Sequence, residues 1–260
     1  MGRGRREPEP VSEAREVHRR QLSYATIMAA AIIVAGVTFA YGSWPHWYQL
    51  VGFSVAACLL GTRTIRLSRT LGTVSVGFIF VFATIVELGP AAAIIAGAAS
   101  ALGATVLCSV ICRRKRAPSA LVVVTNVAII SLAAGTAGWC YQQLEVVYET
   151  IGLRVPLLPA FIVIGVYYLI NSMGMALMAS ADGKRNAISV WSENLYWTVL
   201  PYYVGGAVVV VVQMAAAHVG EHLWLVLIPP VALIHIGMDV RAKAKLAQRV
   251  DERSVERGAE

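Results

Sequence analysis

The sequence predicts an all-α polytopic bundle that crosses a membrane about eight times, with both termini in the cytoplasm. Three observations predict it. Of the 260 residues, 57% are hydrophobic and only 14% charged, and the mean hydropathy is +0.65. A soluble domain is about 45–50% apolar and about 25% charged. Apolar runs recur along the chain at close to the ~20 residues a crossing helix needs. Lys and Arg fall on one side of the weave those runs imply.

Residues 1–23 read as a basic cytoplasmic tail. MGRGRREPEPVSEAREVHRR is too long and too acidic for the charged start of a cleaved signal peptide. Gly2 is followed by Arg6 where N-myristoylation wants Ser or Thr. The bundle then occupies 24–240. Its spans are 24–41, 47–60, 73–88, 91–111, 121–141, 157–180, 195–217 and 223–240. The second is short and leans on its flanks, and the third, within GTVSVGFIFVFATIVELGP, is short as well. Residues 241–260 form a charged cytoplasmic tail.

Charge placement tests this layout independently. The inner segments 1–23, 61–72, 112–120, 181–194 and 241–260 hold 6, 3, 4, 2 and 6 of the 22 basic residues, and the outer loops hold only Arg154. Basic residues stay inside because their translocation is disfavoured and the inner leaflet is anionic. Topology therefore accounts for the basic clusters, and no nucleic-acid partner is expected. Aromatic residues agree: Trp44, Trp47, Tyr48, Trp139, Tyr141 and Trp224 stand at outer edges, and Trp191, Tyr196 and Trp197 at an inner one. Membrane strands would alternate in polarity, and runs such as VVVVVQMAAA do not.

Helices in lipid pack through small residues. Span four carries Ala93–Gly97–Ala101 and Ala96–Ser100–Ala104. Span five carries Ser131–Gly135 and Ala134–Gly138, and span one Ala25–Ala29 and Ala31–Ala35. Leu88-Gly89-Pro90 is a sharp turn between spans three and four. Pro201, about one turn into span seven, and Pro229-Pro230 in span eight predict kinks. Cys58, Cys108, Cys112 and Cys140 sit in or beside apolar runs and read as small apolar filler.

Polar groups inside the spans are few, costly and turned toward the interior. Glu87 ends span three. Asn126 lies in span five and Asn171 in span six. The two amides either bond within the bundle or line a small-molecule pocket. In WSENLYWTVLPYYVGG (191–206), Glu193 and Asn194 sit where they can cap span seven. These five residues are the candidate ligand-binding set. His46, His218 and His222 are the imidazoles an outer metal site would use, but their spacing matches no zinc pattern. There is no phosphate loop, nucleophile triad or paired carboxylate, so neither a cofactor nor enzymatic activity is expected.

LGPAAA, Asn126, YYLINS (167–172) and VWSENLYWTVLPYY (190–203), in that order, resemble a bacterial membrane module. It is the multi-span N-terminal sensor region of the MASE type, found ahead of HD-GYP or GGDEF domains. The resemblance covers about residues 70–240. It implies an inner-membrane input module for cyclic-dinucleotide signalling. The chain departs from that family after span eight, where no HD, GYP or GGDEF sequence follows. The expectation is therefore a non-enzymatic sensor or scaffold that acts through a separate signalling or membrane partner. The Ala-rich helices with a Gly-Pro turn also resemble the substrate-binding subunits of energy-coupling-factor vitamin importers, which is the alternative.

Overall fold

The structure is a computed structural model, and it describes residues 10–41, 47–66, 73–111, 117–150, 157–181, 186–195 and 198–219. The chain divides into two compact units, Met1–Val210 and Val211–Glu260. Of the second, only 211–219 is described. Span eight, both Pro229 and Pro230, and the charged tail lie outside the described residues.

Among the described residues five helices are long and apolar enough to cross a membrane: Gln21–Tyr41, Pro90–Ile111, Ala120–Thr150, Leu158–Ser180 and Val199–Ala216. They match spans one, four, five, six and seven. The first belongs to α1 (Pro10–Tyr41), which starts well before the apolar run. The second comprises α4 (Pro90–Leu102), a π-helical turn at Gly103–Leu107, and α5 (Cys108–Ile111). The others are α6 (Ala120–Thr150), α7 (Leu157–Ser180) and α9 (Val199–Val219). At ~1.5 Å per residue, the 31 residues of α6 reach about 46 Å, beyond a ~30 Å hydrocarbon core.

Spans two and three are shorter. Helix α2 (Trp47–Gly61) has 15 residues and α3 (Phe78–Leu88) has 11, which is about 22 and 16 Å of helix. Between them lies a small antiparallel hairpin, β1 (Thr64–Arg66) and β2 (Thr73–Ser75), with Thr64 opposite Ser75. Among the described residues the remaining regular structure is helical. The helix expected from residue 73 starts only at Phe78. Thr73 and Val74 are β-branched and lose side-chain freedom in a helix, and Gly77 follows them. Gly77 also touches its neighbours: a Cβ there would stand 2.5 Å from both the Ala57 carbonyl and Ser100 Oγ.

Small residues set the packing, as their spacing predicts. The α4–α6 pairing is the most extensive in the bundle. Ala93, Ala96, Ser100 and Ala101 of α4 and Ala133, Ala134 and Ala137 of α6 are buried. A Cβ on Gly97 would lie 3.3 Å from the Ala134 Cβ, and one on Gly138 only 2.7 Å from the Pro90 Cα. Pro90 opens α4 directly after Gly89, whose φ of +83° favours glycine. Gly103 lies against the Cys58 carbonyl.

Span one departs from expectation. Ala25 and Ala29 of the first expected pair are exposed, whereas Ala31 of the second is buried, together with Ile27 and Thr38. Trp139 Nε1 donates to Thr38 Oγ1 at 2.8 Å, tying α1 to α6. The exposed surface is apolar. Trp47, Val51, Val55 and Leu59 run down α2, and Leu200, Val204, Val208 and Val211 down α9. Water would penalise such stripes and lipid does not. The chain is a membrane protein.

Candidate functional site

Helices α4, α6, α7 and α9 bring the two intramembrane amides together. On α7, Tyr167, Asn171, Met175 and Met178 recur at helical spacing and share one face. On α6, Val122, Asn126 and Ile129 do the same. An inner cavity of about 80 Å³ is lined by Asn126, Asn171, Tyr167, Tyr202, Ser75 and Ser100, among others. A neighbouring cavity of about 350 Å³ is lined by Tyr24, Thr105, Thr125, Asn126, Met175 and Met178, among others. Ala104, Asn126 and Met175 line both. The two cavities adjoin at these three side chains and are together called the chamber below.

Each wall has a local cause. Asn171 Nδ2 donates to the Tyr202 hydroxyl at 2.8 Å, joining α7 to α9. Tyr202 is buried among rings, 4.7 Å from Phe78 and 5.6 Å from Tyr168 between centroids. Glycine permits this crowding: a Cβ on Gly205 would strike the Phe78 ring, and one on Gly206 the Ile164 side chain. Pro201 is the third residue of α9, within the first turn, where its missing N–H has no helical acceptor. The kink expected there is not needed. The π turn at Gly103–Leu107 places Ala104 and Thr105 at the chamber wall.

A second π turn, Trp191–Leu195, follows α8 (Ala187–Val190). Trp191 Nε1 donates to Ser172 Oγ at 2.9 Å, next to Asn171. The segment 186–195 is thus fastened to the residue beside the chamber.

The remaining candidates fall elsewhere. Glu87 is exposed near the end of α3, and Glu193 is exposed on the second π turn. Neither lines the chamber. Asn194 lies on that same turn, and its side chain is outside the described residues. A different helix start, that of α8, is capped by Asn186, whose Oδ1 accepts from the Ile188 N–H. Helical structure therefore begins earlier than the apolar run. His46 and His222 lie outside the described residues, as does the side chain of His218. Among the described residues no group of His, Cys, Asp or Glu is placed to hold a metal.

Sequence reasoning missed Tyr167, Tyr202, Thr125 and the serines of the inner cavity. One signal was available: Tyr167 precedes Asn171 by one helical turn in YYLINS. Nothing local marks Ser75 or Ser100, which reach the site from other elements.

No family model, no curated protein and no solved structure matches this chain.

Proposed function

We propose that this is a non-enzymatic sensory protein of a bacterial inner membrane. It recognises a small molecule inside the bundle and acts through a separate partner. One observation carries the reading: two amides 45 positions apart in sequence, Asn126 and Asn171, line a single small cavity together with Tyr202. Intramembrane polar groups that converge on a cavity are a functional site by default. The Ser172–Trp191 bond supplies a route outward, because it joins the residue next to Asn171 to the segment 186–195. The MASE-type resemblance over residues 70–240 is in keeping with an input module.

The placement of the chamber favours sensing over import. It lies toward the start of α6 and the end of α7, the end of the bundle adjoining the basic segment 112–120. A subunit that captures its ligand from outside needs a pocket at the other end, near Gly89-Pro90.

The test compares wild type with Asn171→Leu, both extracted from native membranes in mild detergent. Both insert. The wild type carries a small molecule or partner, identified by native mass spectrometry, that the variant loses. An unchanged complement makes Asn171 structural and removes the centre of the site.

A further inference from the structure

We propose that the chamber binds an uncharged amphiphile drawn from the bilayer, a molecule with a hydroxyl or carbonyl head and an apolar body. This rests on the sensory reading above and specifies its ligand. The first ground is hydrogen-bonding capacity that the bundle itself leaves unmet. Tyr167 is only 4% exposed and lines the inner cavity. The Asn126 amide lines both cavities. Thr125 lines the larger cavity, is 3% exposed, and its hydroxyl has no partner. The contrast with other threonines is clear. Thr84, Thr105 and Thr26 each donate to the carbonyl four residues back, at 2.6, 2.7 and 2.9 Å. Buried polar groups are almost always satisfied, so the unmet Thr125 hydroxyl marks a place at the chamber wall where a guest completes the bonding.

The second ground is the absence of charge. Among the described residues no Asp, Glu, Lys, Arg or His lines either cavity. An ionised ligand would enter without a counter-ion among these residues, which burial away from water disfavours. A neutral head meets what is present. Asn171 uses its amide N–H on Tyr202 and keeps its Oδ1 as acceptor, while the Tyr202 hydroxyl accepts that bond and keeps its proton to donate.

The third ground is shape. With a share of ~30 Å³ per water-sized group, the inner cavity holds a head of two or three heavy atoms. The larger cavity falls at the small end of the ~300–1,000 Å³ range of ligand pockets. Ile129, Met175 and Met178 form its apolar side, and methionine adapts to irregular guests. The source is the lipid. An apolar groove of about 390 Å³ between α1, α6 and α7 lies directly across Ile129, which lines both spaces. Helix α1, which supplies Tyr24 to the chamber, is also the least buried of the five long helices.

The experiment uses the full chain in nanodiscs and a diazirine derivative of 1-octanol as photolabel. The matching octanoate derivative is the charged comparator. Adducts mapped by mass spectrometry are expected at Met175, Met178 and Tyr24, and excess 1-octanol competes them away. Thr125→Val and Asn126→Leu each weaken the competition roughly five-fold, the effect of losing one hydrogen bond. Thr84→Val, equally buried but outside the chamber, leaves it unchanged. The octanoate probe does not label saturably. Labelling that is unsaturable and spread along Val51 and Val55 overturns the proposal, and so does equal saturable labelling by octanoate. If octanol fails while native extraction still yields an Asn171-dependent molecule, the ligand class falls and the sensory reading stands. If both fail, the sensory reading falls too.

Discussion

Replacing Gly138 by alanine tests whether close helix approach holds this bundle together. The added Cβ would stand 2.7 Å from the Pro90 Cα and 2.8 Å from the Pro90 Cβ. Carbon atoms in good contact sit about 3.5–4.0 Å apart, so α6 and the start of α4 must separate by roughly 1 Å. Pro90 cannot turn aside. Its ring fixes φ, and Gly89 before it sits at a φ of +83°. Overpacking of this kind costs about 1–3 kcal/mol, against which alanine returns about 0.5–1 kcal/mol of helix propensity. The net loss is about 1–2 kcal/mol, a factor of roughly 5–30 in the unfolding equilibrium. Gly36→Ala on α1 and Gly52→Ala on α2 are the internal controls, since a Cβ at either meets nothing within 4 Å. They are expected to be neutral or stabilising by up to ~1 kcal/mol. The assay is SDS-driven unfolding in mixed micelles, followed by tryptophan fluorescence. A Gly138→Ala midpoint no lower than those of Gly36→Ala and Gly52→Ala refutes close approach at the α4–α6 seam.

The bond that anchors α1 is expected to show a measurable coupling. In a double-mutant cycle of Trp139→Phe with Thr38→Val, the interaction energy should be about 0.6 kcal/mol and no more than ~1.7; additive single effects mean that α1 is held without it. Topology is expected to follow the basic residues. In a cysteine-free background, Ser119→Cys should resist a membrane-impermeant thiol reagent in intact cells, while Gln143→Cys reacts. Both positions are exposed. The reverse pattern inverts the bundle.

Much of the bundle was legible in the residues. Span six was expected at 157–180 and α7 covers Leu157–Ser180. The Ala-Gly spacing of spans four and five marked the pair that packs most extensively. The same reasoning failed on α1, because Ala25 and Ala29 match the small-residue pattern yet face outward. A spacing rule states which faces permit approach. Which face is used depends on the helix opposite. The chamber was half legible: Asn126 and Asn171 stood out as polar groups in apolar runs, but Glu87 and Glu193 stood out equally and line no part of it.

Taken alone, the residues determined the medium, the positions of the long helices and the side of the membrane expected for each loop. These follow from transfer free energies that add along the chain, residue by residue, whatever the chain packs against. The tertiary structure decided how far each helix runs and which side chains meet. It delayed the start of α3 to Phe78, with Gly77 against the Ala57 carbonyl and Ser100, and set Tyr202 on Asn171. Those outcomes depend on helix rotation and depth. Contacts between residues far apart in sequence set both, and a periodicity read along one helix holds no record of its neighbour.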